Sequence, residues 1–318
     1  EAWAIAEDRS LGLSLVELLP FFLADLIHLG DAGALRQVLN QGMRVAERTH
    51  SPYLQTLCRH TEALIAINEG RFVDAEAWAI RALGSGRRIT EDLALGAYGM
   101  QMFCLRREQG RLRETLPMLR HFVGTTPKAN AWQPGLALLY AELDMRAECQ
   151  AEFDSLAWER ASSAPRDVST MTVVMFAAEV CAYLGDTARA QILYALLLPH
   201  AGTILLADFG GPCLGSADRL LANLARVTQH WKAAQTHFEA ALVMDQRSGS
   251  RVWLAHSRTA YAAMLYTRAQ TGDHEQAHAL LSEALAESSA LQMSALTPRI
   301  NALLDCIAVP PPSYPCGL

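Results

Sequence analysis

The sequence predicts an all-α fold, a right-handed superhelical solenoid of about seven helical hairpins. Its 318 residues are 51% hydrophobic and only 19% charged, so the chain can bury a large apolar core. Ala, Leu, Glu, Arg and Gln dominate, and no segment shows the sustained period-two alternation of β-branched residues that is typical of strands. A short turn pattern also recurs at regular spacing. We therefore expect helices throughout and no β-sheet.

The recurrent turn begins with a glycine followed by Asp or Arg, and a small residue stands five positions after the glycine. It is clearest in residues 70–75, 185–190 and 272–277. Two further units lack the glycine, but Asp144 and Gln229 stand at the equivalent positions. The predicted turns are 34 to 44 residues apart and lie at positions 30, 70, 110, 144, 185, 229 and 272.

Each part of this turn has a physical role in a helical hairpin. The glycine lets the chain turn sharply after the first helix, the Asp caps the second helix, and the small residue lets the two helices pack closely. Each hairpin leaves an apolar face that only its neighbours can cover, as in tetratricopeptide (TPR) arrays. We expect a TPR-like repeat domain over residues 1–308 and a proline-rich, flexible tail over residues 309–318.

Composition also argues against a nucleic-acid or membrane partner. The formal net charge is -6, and no Lys/Arg cluster is present. The most apolar stretch, residues 13–29, is interrupted by Glu17, Pro20 and Asp25, so we expect a core helix and not a membrane span.

Seven scattered cysteines without a CxxC pair favour a reducing, cytoplasmic setting. The chain begins at Glu1 within a helical pattern, which suggests a piece of a longer protein.

Several segments over most of residues 60–295 are similar to one bacterial family. They are LRREQGRL at 105–112, LLYAEL at 138–143, AEVC at 178–181 with LGD at 184–186, CLGS at 213–216, HFEAAL at 237–242 and WLA at 253–255. The chain thereby resembles the C-terminal TPR-like repeat region of bacterial multidomain signalling proteins that contain an ATPase module. These proteins carry an adenylate or guanylate cyclase, or are LuxR-type, MalT-like transcriptional regulators.

This resemblance implies a regulatory or sensor domain that binds a protein partner or a small effector in its concave groove. It implies control of an ATPase-linked signalling or transcription output, with ATPase and effector domains upstream in the full-length protein. The chain contains no Walker A sequence, so the ATPase itself is not carried over. A free-standing TPR adaptor or scaffold is the alternative, and the upstream coding sequence would distinguish the two.

The groove residues follow from register if the first helix of each hairpin lines the concave face. Arg219, Asn223 and Arg226 would share one helical face and could donate hydrogen bonds to a carboxylate or phosphate. An ordinary solvated face is the alternative. The predicted ligand-binding residues are His60, Arg107, Glu179, Arg219, Asn223, Arg226 and Tyr266.

Residues 274–278 spell HEQAH, a match to the HExxH motif in which two histidines bind zinc and Glu275 acts as general base. The motif coincides with the seventh predicted turn, where Asp273 is the expected N-cap and Gln276 the expected capping-box residue. No third ligand stands at the metzincin position. We therefore predict no enzyme activity, no catalytic residue and no cofactor. A zinc-dependent hydrolase that uses His274 and His278 is the less favoured alternative.

Overall fold

A computed structural model describes residues 12–125, 132–156, 168–207 and 213–308. These residues form fifteen α-helices, two short 3-10 helices and one two-stranded sheet, so the predicted all-α class is confirmed. The predicted proline-rich tail at 309–318 lies outside the described residues.

The helices follow one another with short connections. The first eight are α1 (Gly12–His28), α2 (Ala32–Thr49), α3 (Pro52–Glu69), α4 (Phe72–Gly86), α5 (Glu91–Glu108), α6 (Leu116–Thr125), α7 (Trp132–Glu142) and α8 (Arg146–Ser155). The next seven are α9 (Val168–Leu184), α10 (Thr187–Leu197), α11 (Ala217–Val227), α12 (Trp231–Arg247), α13 (Arg251–Arg268), α14 (Asp273–Ala290) and α15 (Leu296–Ala308). The 3-10 helices are Leu112–Thr115 and Leu198–His200.

One helix gives way to the next at every predicted turn position, and the residue there has a positive φ. Gly70 has a φ of 80° and Gly272 a φ of 87°, a conformation that glycine adopts without steric cost. Asp144 at 56° and Gln229 at 58° adopt the same left-handed conformation with a side chain present. The backbone thus reverses through a residue of left-handed conformation at each turn, whether or not that residue is a glycine.

The second helices of the hairpins begin and pack as local chemistry dictates. The Asp31 carboxylate caps α2 by accepting a hydrogen bond from the Ala34 amide, and Asp186 caps α10 in the same way. The small residues that follow the turns are buried, and Ala190 and Ala277 have no exposed surface. Since a larger side chain would hold the helices apart, these positions set how closely each pair packs.

The expectation of no β-sheet is wrong at one place. Strands β1 (Ile204–Leu206) and β2 (Cys213–Ser216) pair antiparallel, with Ile204 opposite Ser216. Every residue of both strands is buried, so the segment shows no alternation of apolar and polar residues. Gly215 brings the β2 backbone against Trp253, and a Cβ at this position would lie 3.0 Å from the indole ring. The sheet therefore serves as part of the core.

The described chain folds back so that early turns contact late helices. A Cβ at Gly30 would lie 2.8 Å from the Met244 sulfur, and a Cβ at Gly70 would lie 2.6 Å from Leu291. Helix α3 packs against α13, and the Trp253 indole N–H donates to Asn68 in α3 at 3.2 Å. The first two hairpins are thereby joined to the last two.

Candidate functional site

A cavity of about 780 Å³ lies between six helices, α5, α7, α9, α11, α13 and α15. Small-molecule sites in proteins have volumes of about 300 to 1,000 Å³, so the cavity has the size of such a site. Five of the seven predicted ligand-binding residues line it, namely Arg107, Glu179, Arg219, Asn223 and Arg226. Arg107 and Arg226 stand in the last turns of α5 and α11, and Glu179 stands more than one turn before the end of α9. Arg219 and Asn223 precede Arg226 on one face of α11.

The structure does not bring His60 and Tyr266 to this cavity. His60 is buried, its Nδ1 atom lies 3.0 Å from the Gln101 amide oxygen, and burial lowers the pKa of its imidazole. Tyr266 lies at the end of α13, with its ring 5.4 Å from that of His274. The register argument assumed that all first helices present the same face to the groove. At His60 that face is covered by α5, which carries Gln101.

Two carboxylates in the cavity, each with about a tenth of its side chain exposed, lie between two arginines. Glu142 contacts Arg107 at 2.5 Å and Arg299 at 2.8 Å. Glu179 pairs with Arg219 and lies 4.0 Å from Arg107. Arg107 is therefore shared, and it links the two carboxylates into one network that spans α5, α7, α9, α11 and α15.

The electrostatics of this network keep its carboxylates ionised. Burial raises the pKa of a carboxyl group, but Arg107 and Arg299 outweigh burial and lower the pKa of Glu142 to about 2. The pKa of Glu179 is also lowered, because Arg219 and Arg107 outweigh its burial. The same attraction raises the pKa of Arg107 despite its burial. The site at neutral pH is thus a set of fixed charges.

Trp253 forms a buried support for the two central arginines. The guanidinium of Arg219 lies 4.8 Å from the indole centroid and that of Arg107 lies 5.5 Å from it. Both distances fall within the range of cation–π interactions. The Nε atoms of both arginines are buried and have no hydrogen-bond partner within the described residues. The indole ring of Trp253 thus contacts both guanidinium groups.

Arg226 differs from the other arginines of the cavity because it pairs with no carboxylate in the described part of the chain. Its one polar contact there is with the Ala182 carbonyl, at 3.5 Å from Nη2. Burial lowers the pKa of Arg226. Asn223, one helical turn earlier, is 8% exposed and has no hydrogen-bond partner among the described residues. The two side chains together offer unused donors to the cavity.

Sequence reasoning missed Glu142, Arg299 and His256, which also line the cavity. Glu142 lies two residues before a turn, outside the register used for the prediction. Arg299 belongs to α15, which follows the last predicted hairpin and so had no place in the repeat. His256 reaches the site because α13 packs back towards the early hairpins. No local signal in the sequence marks these three residues.

The HEQAH segment is the start of α14. Helix α14 begins at Asp273, so Asp273 is not the N-cap as expected, and its carboxylate instead holds Arg268 at 2.7 Å. Gln276 lies 3.3 Å from the Tyr261 hydroxyl instead of forming a capping box. His278 is exposed. In the part of the chain that the structure describes, no group of three or more His, Cys, Asp or Glu side chains could hold a metal ion.

Comparisons with protein-family models, with curated proteins and with solved structures find no match for this chain. Among the described helices, none combines the length and the apolar character needed to cross a bilayer. The functional interpretation therefore rests on the geometry and chemistry of the cavity.

Proposed function

We propose that this chain is a regulatory or sensor repeat domain that binds a small effector or a protein segment in its central cavity. In this proposal the hairpins form a right-handed TPR-like solenoid, and the cavity is its concave groove. The observation that carries the proposal is the convergence of five successive first helices, together with α15, on one cavity of about 780 Å³ with fixed charges and unused donors.

The chemistry of the cavity favours binding over catalysis. A general acid or base needs a pKa near the working pH, whereas the arginines lower the pKa of Glu142 to about 2. Glu142 and Glu179 each have two arginine neighbours, so both are engaged in fixed ion pairs. Such groups orient a ligand and support its binding residues without exchanging protons.

A ligand in this cavity would also connect distant parts of the chain. Arg299 crosses from α15 to Glu142 in α7, so the last helix already shares a charge network with the middle hairpins. A ligand between these elements would stabilise their arrangement relative to the empty state. We propose that this coupling reports occupancy to upstream ATPase and effector domains of a longer cytoplasmic protein, with a signalling or transcription output, as the family resemblance implies.

The test is native mass spectrometry of the purified chain, compared with two tryptophan variants. Ala260 lines the cavity, so Ala260→Trp places a large side chain in the space that a ligand would occupy. Ala240 is exposed on α12 and outside the cavity, so Ala240→Trp is the matched control. We expect a bound small molecule or peptide at one per chain in the wild type and in the control but not in Ala260→Trp. A ligand retained by Ala260→Trp would place the site elsewhere, and no ligand in any sample would count against the proposal.

A further inference from the structure

We propose that the ligand of this cavity is a small organic acid whose one anionic group, a carboxylate or a phosphate, is bound by Arg226 and Asn223. This inference rests on the proposed function and specifies the chemical class of its ligand. It starts from the charges that line the cavity, four arginines and three carboxylates.

Three of the four arginines already have negative partners. Glu142 and Glu179 form ion pairs with Arg107, Arg219 and Arg299, so each of these arginines has a carboxylate in contact. The third carboxylate, Asp144, accepts a hydrogen bond from the Tyr183 hydroxyl at 2.7 Å and has no ion pair in the described residues. Arg226 is thus the cation without a counter-charge in contact, and it faces a cavity large enough for a ligand.

The contact with Ala182 does not account for Arg226. An arginine side chain has five N–H donors, and this contact uses one of them at 3.5 Å, the long limit of a hydrogen bond. Withdrawing a guanidinium from water without a partner is unfavourable, whereas a bidentate anion satisfies it. Asn223 lies on the same helical face, three residues earlier, and its amide adds a donor beside the guanidinium.

The rest of the cavity wall indicates the body of the ligand. Apolar side chains line the cavity next to the charged groups, and they are Leu138, Ala141, Ala260, Ala263, Leu296 and Leu303. An apolar wall beside an arginine that contacts no carboxylate is complementary to an organic acid that has an apolar part. A strongly charged polyanion would instead meet the fixed carboxylates of Glu142 and Glu179.

The experiment measures thermal unfolding against ligand concentration at constant ionic strength. The ligands are benzoate, its neutral isostere benzamide, and inorganic phosphate. We expect a saturable rise in Tm with benzoate or with phosphate, which also assigns the anionic group, and no rise with benzamide. Replacing Arg226 by Met should weaken the binding of that anion by about tenfold or more, because charge-assisted hydrogen bonds are lost. Arg226→Lys should retain part of the effect.

Two controls separate this result from general effects of salt and of folding. Arg113→Met removes the same charge from an exposed position outside the cavity and should keep the full response. Because Arg226 has no ion pair, Arg226→Met should fold and should have a Tm at or above that of the wild type without ligand. Equal responses in Arg226→Met and wild type, or equal responses to benzoate and benzamide, would overturn the inference. No saturable response to either anion would also overturn it. A neutral molecule bound in the cavity by native mass spectrometry would do so while leaving the proposed function intact.

Discussion

His256 in α13 and Glu108 at the end of α5 lie 2.9 Å apart, Nε2 to Oε2, although 148 positions separate them in the sequence. The Glu108 side chain is buried, and that of His256 is 11% exposed. A contact of this kind has no counterpart in an array whose repeats touch only their neighbours. It shows that the described helices close on themselves next to the cavity.

Loss of this contact should destabilise the fold. In His256→Ala the Glu108 carboxylate stays buried without its partner, so we expect the free energy of unfolding to fall by about 2 kcal/mol. Urea denaturation measures this change. His278→Ala removes an exposed histidine and should have an effect within about 0.5 kcal/mol of zero. Equal stability of the two variants would contradict the role of the contact.

The closure can be tested at the glycine turns. Gly70 and Gly272 both have a positive φ, so an alanine at either position introduces backbone strain of about 1 to 2 kcal/mol. A Cβ at Gly70 would also lie 2.6 Å from Leu291, whereas nothing lies within 4 Å of one at Gly272. We expect Gly70→Ala to lose about 1 to 3 kcal/mol more stability than Gly272→Ala in denaturant titrations. If the two losses match, the turn at residue 70 does not pack against Leu291 in solution.

Asp245 should make stability depend on pH. Burial raises the pKa of Asp245 from its ordinary value of 3.8 to about 6, despite a 2.6 Å hydrogen bond from Ser257. Because the folded-state pKa is the higher one, its contribution is fully present below about pH 3.8 and is lost as pH rises through about 6. Asp245→Asn should therefore exceed the wild type in stability at pH 8, by up to about 3 kcal/mol.

The check on Asp245 is the difference in the free energy of unfolding between the two proteins from pH 4 to pH 8. Other titrating groups contribute equally to both proteins and cancel in this difference. A difference that stays constant with pH would mean that the Asp245 pKa is not shifted by folding.

Glu142 should show the opposite dependence. Arg107 and Arg299 outweigh its burial and lower its pKa to about 2, so its contribution is present above pH 4.5 and is lost as pH falls towards 2. Glu142→Gln should destabilise the protein by about 3 kcal/mol at pH 7, and by less at pH 3. Denaturation with guanidinium chloride at the two pH values measures the change in the free energy of unfolding. The same loss at both pH values would indicate a packing defect and not a lost charge.

The parts of this structure that local chemistry determines are the parts that the sequence predicts. The turns at Gly70 and Asp144 follow from spacing, because a left-handed residue and a buried small residue are features of a few adjacent positions. Strands β1 and β2 are not predicted because they are short and buried on both faces, so their residues do not alternate between apolar and polar.

The candidate site also has a part that the sequence predicts and a part that it does not. Arg219, Asn223 and Arg226 share a face because helical geometry alone places them there. Glu142 and Arg299 meet across 157 positions, and only the curvature of the whole array brings α15 to α7. Curvature arises from small rotations summed over many helix pairs, and the sequence of one repeat does not specify that sum.

The contacts of the early turns also constrain the number of helices between them and their partners. Gly30 of the first hairpin meets the end of α12 in the sixth, and Gly70 of the second meets Leu291, which follows α14 of the seventh. An open array can gain or lose a unit by duplication or deletion, because each unit contacts only its neighbours. Here an added hairpin would shift every later partner by one place and separate all of these contacts at once. Insertion or deletion of a hairpin between these turns and their partners is therefore incompatible with this closed arrangement, whereas substitutions in the cavity leave it intact.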